Sequence, residues 1–152
     1  MIGLRPILLA EDNPNDAELT LEALASSALA NQVTHVKDGV EALEFLRCTG
    51  QYSERVHCNP AVTILDIKMP RLDGIEVLRA IRSDPDLRSM PVVMLTSSRE
   101  EQDLVRSYAL GINAYVVKPV KFADFLNAVK EIGVFWAMIN ELPPDCQGEG
   151  CQ

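Results

Sequence analysis

The stretch Val62-Thr63-Ile64-Leu65-Asp66-Ile67-Lys68-Met69-Pro70-Arg71-Leu72-Asp73-Gly74 decides how the rest of the chain is read. Its first part is apolar and rich in β-branched residues, the pattern of a strand buried on both faces. It stops at a carboxylate and runs into a turn marked by Pro70 and Gly74. A charged side chain is thereby placed at the C-terminal end of a buried strand, which is where open α/β sheets build their sites. The simplest alternative is that Asp66 caps the next helix. A cap sits immediately before the helical pattern, however, and that pattern begins near Asp73, so Asp73 suits the cap and Asp66 is left with another purpose.

Working outward, other apolar runs end in the same way. Arg5-Pro6-Ile7-Leu8-Leu9-Ala10 reads as a strand that stops at Glu11-Asp12, and Asn13-Pro14-Asn15-Asp16 opens a helix running to about residue 28, with Asn13 as cap and Pro14 at its first position. Taken alone, Glu11-Asp12 reads as a solvated turn favouring that helix's N-terminus. Asn31-Gln32-Val33-Thr34-His35-Val36-Lys37 alternates as a strand at or near a sheet edge, with His35 structural. Asp38-Gly39 marks a turn before a helix that ends at Arg47, and 48–59 lacks periodicity, which predicts an extended surface connection.

Beyond the opening stretch, Gly74 begins a third helix and Pro91-Val92-Val93-Met94-Leu95 a fourth strand, which terminates at Thr96. A helix over 99–110 stops at Gly111, and Ala114-Tyr115-Val116-Val117 is a fifth strand ending at Lys118-Pro119. Phe122, Phe125, Leu126, Val129, Ile132, Trp136 and Ile139 form the core stripe of a last helix. Phe135, Met138 and Leu142 fall off that stripe, and a helix apolar on two faces favours a partner, here a second copy in a homodimer. Leu142-Pro143-Pro144 ends the helix, giving one domain over 1–142 and a disordered tail over 143–152.

A chain of 152 residues can bury a continuous core as one domain without cross-links. Its net charge of -8 opposes direct nucleic-acid binding, which draws on clustered Lys and Arg. No apolar stretch reaches membrane-spanning length, and the N-terminus enters a strand pattern without signal-peptide features, so a cytoplasmic protein is expected. Cys48, Cys58, Cys146 and Cys151 form no C-x-x-C pair and share no metal-ligand spacing with His35 or His57. Free thiols are expected.

Five strands alternating with five helices predict a parallel sheet covered on both faces, whose right-handed crossovers bring every strand C-terminus to one edge. That edge collects Glu11, Asp12, Asp66, Thr96 and Lys118. Crowded carboxylates disfavour one another's ionised form unless a cation joins them. All-oxygen ligation with an incomplete protein shell suits Mg²⁺, which also accepts phosphate oxygens. Beside such a cation one carboxylate can attack phosphorus to give an acyl phosphate, and Asp66 is the candidate nucleophile. Lys118 can neutralise a phosphoryl oxygen and the Thr96 hydroxyl can donate to another.

Those residues, in the runs Ile7-Leu8-Leu9-Ala10-Glu11-Asp12, Ile64 to Gly74, Val93-Met94-Leu95-Thr96-Ser97 and Tyr115-Val116-Val117-Lys118-Pro119, resemble the receiver domain of two-component response regulators. The resemblance implies a flavodoxin-like sheet in strand order 2-1-3-4-5 flanked by five helices. It implies that Asp66 accepts a phosphoryl group from a sensor histidine kinase, and that Asp12, Asp66 and the backbone carbonyl of Lys68 ligate Mg²⁺ while Glu11 acts on the metal through water. It assigns Thr96 and Tyr115 to a phosphorylation-driven switch. Glu11-Asp12, Asp84-Pro85-Asp86-Leu87 and the Phe135-Trp136 ending are similar to the stand-alone response regulators of bacterial phytochromes, implying a light-regulated kinase partner and a homodimer. Such a chain is a signalling phosphoacceptor rather than an enzyme acting on external substrates.

Three alternatives sit beside it. An aspartate-nucleophile phosphohydrolase needs a second acid two residues after the nucleophile, where this chain has Lys68, and a flavin carrier needs a phosphate-cradling loop where this chain has Glu11-Asp12. A phosphorylation-independent receiver-like interaction module would have no need of Asp12, Thr96 and Lys118.

Overall fold

Period-two alternation of large apolar side chains gives each central strand two buried faces, and the fold follows from covering both. The computed structural model describes residues 6–25, 32–55, 59–107 and 114–131. Its strands are β1 (Ile7–Ala10), β2 (Val33–Val36), β3 (Val62–Asp66), β4 (Val92–Thr96) and β5 (Ala114–Val117). They alternate with helices α1 (Pro14–Ala25), α2 (Gly39–Arg47), α3 (Gly74–Ser83), α4 (Arg99–Ser107) and α5 (Phe122–Glu131). All neighbouring strands pair in parallel, in the order β2-β1-β3-β4-β5. This is the expected order, with β2 at an edge.

The core has two halves. Leu8, Ala10, Leu65 and Met94 point to one face and pack with Phe45, Leu46, Ile75, Leu78 and Ile81 from α2 and α3. Ile7, Leu9, Ile64, Val93 and Leu95 point to the other and pack with Leu24 of α1 and Phe125 of α5. Among the described residues no helix is long and apolar enough to cross a membrane.

Local signals explain the helix starts. The Asn13 side chain accepts from the amides of Asn15 and Asp16, capping α1 with Pro14 as its first residue. Asp73 and Glu76 form a reciprocal capping box on α3, so the cap expected there is present. Asp38 does more than mark a turn. It caps α2 through the Glu41 amide and pairs with Arg71, which reaches it from the β3–α3 loop.

One expectation is overturned. The connection after α2 is not extended over its described part, because it folds back on that helix. Cys48 adopts a left-handed conformation (φ 56°) and closes the helix end, followed by a single 3-10 turn at Gly50–Tyr52. The Tyr52 ring meets Phe45 edge-on at 5.1 Å, and the Arg55 guanidinium lies 4.0 Å from the Phe45 ring centroid while donating to the Phe45 carbonyl. Phe45, Tyr52 and Arg55 fall at i, i+7 and i+10, but α2 ends at Arg47, so the cluster comes from the chain folding back after Cys48 and not from one continuous helical face. The end of the first helix at 26–28, the Gly111 stop, the second apolar face of the last helix with Phe135, Met138 and Leu142, the tail over 143–152, and Cys58, Cys146, Cys151 and His57 lie outside the described residues.

Candidate functional site

The parallel register aligns the strand ends. Ala10 pairs with both Val36 and Leu65, Asp66 with Leu95, and Thr96 with Val117, so Glu11, Asp66, Thr96 and Lys118 emerge along one edge of the sheet. Backbone bonds beyond the ladder hold them there. The Glu11 amide donates to the Val36 carbonyl at 3.0 Å, and the Lys118 amide donates to the Thr96 carbonyl at 2.8 Å. His35 on β2 donates from Nε2 to the Glu11 carbonyl at 2.7 Å, a structural bond in keeping with the role expected of it.

Gly74 lets the first turn of α3 close on the same strand end. Its amide donates to the Ile67 carbonyl at 2.8 Å, and a Cβ there would lie 2.3 Å from the Asp66 carbonyl oxygen. Only a residue without a side chain permits that approach.

Three carboxylates meet at this edge. Ligand atoms of Glu11, Asp12 and Asp66 all lie within 4.8 Å of one another, with Glu11 and Asp66 buried and Asp12 exposed. Such a set fits a hard divalent cation that takes oxygen ligands and keeps waters on its open side. The Lys118 ammonium approaches from β5 and contacts Glu11 Oε1 at 2.7 Å and Asp66 Oδ1 at 3.0 Å. Burial, with reinforcement from the hydrogen bond and negative charge of Glu11, pushes the Asp66 carboxyl up to about 7, against the opposing pull of Lys118. For Lys118 burial acts to lower the ammonium, but Glu11, Asp66 and Asp16 outweigh it and raise it above its ordinary value.

These shifts give a pH dependence. The folded Asp66 carboxyl titrates above its ordinary value of 3.8, so between there and about 7 the folded state holds a proton that the unfolded state has released. Asp66 therefore lowers stability as pH rises through that window. A divalent cation binds the ionised cluster and relieves the repulsion. Thermal melts with and without Mg²⁺ are expected to show a larger stabilisation at pH 7.5 than at pH 5. An equal shift at both values would mean that cation and proton do not share the site.

The Thr96 hydroxyl is fully buried and Oγ1 has no hydrogen-bond partner among the described residues. An unsatisfied buried hydroxyl costs on the order of 1–3 kcal/mol, and a ligand oxygen arriving at this edge would satisfy it. Tyr115 is half-buried on β5 and packs against the α2/α3 half of the core. The Lys68 side chain points away from the carboxylates, largely exposed, with Nζ 3.7 Å from Glu101 Oε2.

Two acids were missed in the sequence. Asp16, assigned there only to the first turn of α1, contacts Lys118 Nζ at 3.1 Å. Glu101 in α4 is buried and accepts from both the amide and the hydroxyl of Ser97, tying α4 to the residue after Thr96. Neither lies at a strand end, so the strand-end rule could not select them. A carboxylate in the turn facing a strand-end lysine was the only available signal for Asp16.

The model of the response regulator receiver domain family matches residues 7–130. The chain is 37% identical over 137 residues to the response regulator Rcp1 of Synechocystis sp., covering 90% of this chain and 92% of that protein. Among solved structures it is similar to the bacteriophytochrome response regulator AtBRR, with 58% identity, a TM-score of 0.86 and coverage of 92% of this chain and 100% of that one. It superposes on Mn²⁺-bound Rcp1 with a TM-score of 0.70, covering 91% of this chain and 99% of that one. The phosphorylated cyanobacterial phytochrome response regulator RcpA is 40% identical, with a TM-score of 0.72 and coverage of 93% and 99%.

Proposed function

The chain belongs to the response regulator receiver domain family, and we propose that it accepts a phosphoryl group on Asp66 from a sensor histidine kinase, with Mg²⁺ held by Asp12, Asp66 and the Lys68 carbonyl and approached by Glu11 through water. The observation that carries this is the Lys118 ammonium 3.0 Å from a buried Asp66 that shares a 4.8 Å cluster with Glu11 and Asp12. In the transfer an Asp66 carboxylate oxygen attacks phosphorus. The bond from phosphorus to the kinase imidazole breaks, its electron pair goes to that ring, and the ring takes up a proton. The bound cation supplies positive charge to the phosphoryl oxygens. Lys118 balances the charge gathering beside Asp66, and the buried Thr96 hydroxyl turns to donate to a phosphoryl oxygen. Thr96 sits on β4 and Tyr115 pairs with Met94 of the same strand, so a Thr96 shift is passed to the Tyr115 ring as a repacking. That Rcp1 has a Mn²⁺-bound form and that RcpA is phosphorylated support a divalent cation and a phosphoryl group as ligands of this chain too.

The likeness to AtBRR supports a bacteriophytochrome as the light-regulated kinase partner, met in the cytoplasm. The net charge of -8 supports signalling through protein contact rather than through DNA. Turnover as a phosphohydrolase is disfavoured because the residue two beyond Asp66 is Lys68, whose side chain leaves the site. The test is transfer from a bacteriophytochrome histidine kinase autophosphorylated with labelled ATP. Label should pass to this chain within minutes and only with Mg²⁺, and a kinase that keeps its label would count against the pairing. A homodimer belongs to the proposal as well. Light scattering across concentrations, with and without phosphodonor, should give twice the chain mass, and a monomer throughout would remove the dimer.

A further inference from the structure

The Lys118 ammonium has three protons and faces three carboxylates: Glu11 Oε1 at 2.7 Å, Asp66 Oδ1 at 3.0 Å and Asp16 Oδ2 at 3.1 Å. Of the three contacts the one to Asp16 is a directed hydrogen bond, whereas Glu11 Oε1 lies close to the ammonium without accepting one. A phosphoryl oxygen that draws this ammonium toward itself therefore competes with the Asp16 hydrogen bond.

The three partners differ in what they lose by letting go. The Glu11 side chain is completely buried and that of Asp66 is 8% exposed, so either would be left as a dry anion with its cation withdrawn. Asp66 is in any case the atom to which the phosphoryl group becomes bonded. The Asp16 carboxylate is 38% exposed, makes the longest of the three contacts, and can exchange the ammonium for water. Its backbone is fixed independently, because its amide donates to the Asn13 cap and its carbonyl accepts from the Thr20 hydroxyl. The carboxylate can swing away while the first turn of α1 stays in place.

We infer that Asp16 is a positioning residue which holds Lys118 in the unphosphorylated protein and is displaced from it by the incoming phosphoryl oxygen, so that its carboxylate sets how readily Asp66 is charged. This rests on Asp66 being the phosphoacceptor. As the bond from the Asp66 oxygen to phosphorus forms and the bond to the donor breaks, the donor leaves with the electron pair, and a dianionic phosphoryl group comes to share the edge with Lys118. An anion already on that ammonium competes with it. Removing the charge of Asp16 while keeping its shape should favour the phosphorylated state.

The experiment compares wild type with Asp16→Asn in three measurements. These are affinity for beryllofluoride, a phosphoryl mimic, in saturating Mg²⁺, the rate of phosphorylation by acetyl phosphate, and affinity for Mg²⁺ alone. The first two are expected to rise about two- to five-fold in the variant, the scale of one partly exposed ion contact. The third should change by less than about two-fold, because Asp16 lies outside the three-carboxylate cluster. Unchanged or weaker beryllofluoride binding with unchanged Mg²⁺ affinity would reduce Asp16 to a helix-start residue and overturn the inference. Should wild type itself take up neither beryllofluoride nor phosphoryl group, the Asp66 assignment fails and the role of Asp16 falls with it.

Discussion

Asp66→Asn is expected to reduce phosphoryl incorporation from acetyl phosphate to background, while wild type takes up one acid-stable group per chain that is released by base and by hydroxylamine. Those labilities belong to an acyl phosphate and separate it from a serine, threonine or histidine adduct. The substitution is nearly isosteric, so the contact between Gly74 and the Asp66 backbone is kept. Lys118 retains Glu11 and Asp16 as partners. The variant also removes a buried carboxyl whose ionisation is made costly by burial and by the neighbouring Glu11, so without divalent cation it should melt no lower than wild type. A lost label in a folded protein is then a loss of the nucleophile. Chelation with EDTA should silence wild type in the same assay. Retention of label by Asp66→Asn would sink the assignment and turn attention to Glu11 and Asp12.

Much of this site is legible in the sequence because of where the residues sit in the pattern. Asp66, Thr96 and Lys118 each end or immediately follow a β-branched run, and parallel pairing with right-handed crossovers leaves one edge for all of them. The Asp73 cap was legible because capping is local, with donor and acceptor within three residues. What depends on tertiary closure was not. The Lys118–Asp16 contact joins residues 102 positions apart, and the acid's place in a helix's first turn already had a sufficient local explanation. The packing of Tyr52 and Arg55 on Phe45 likewise depends on how the chain leaves α2 through a left-handed Cys48, a conformation that a non-glycine sequence does not announce. Glu101 illustrates the same limit from another side. An acid near a helix start suggests a solvated face, yet here it is buried because Ser97 supplies two donors to one of its oxygens.

Lys118→Ala is expected to be the most damaging single change to stability among the site residues, and its damage should depend on the medium. The wild-type lysine side chain is 13% exposed and its ammonium is the cation shared by Glu11 and Asp66, both buried. Removing one partner of a buried ion pair leaves uncompensated charge and typically costs about 3–5 kcal/mol. At neutral pH in EDTA the variant should lose stability on that scale. Two routes can restore it, because the defect is excess negative charge rather than a lost contact surface. Lowering the pH to about 5 lets a carboxylate hold a proton, and adding Mg²⁺ supplies a replacement cation to the Glu11, Asp12 and Asp66 cluster. Denaturant melts at pH 7.5 and pH 5, each with EDTA or with Mg²⁺, separate these terms. Recovery with acid or with metal identifies Lys118 as the electrostatic counterweight of the cluster. An equal deficit under all four conditions would instead assign the loss to packing of the lysine stem. Phosphorylation should remain impaired even in the metal-stabilised variant, because Mg²⁺ restores the charge balance of the resting cluster without supplying the ammonium that lies 3.0 Å from the Asp66 oxygen.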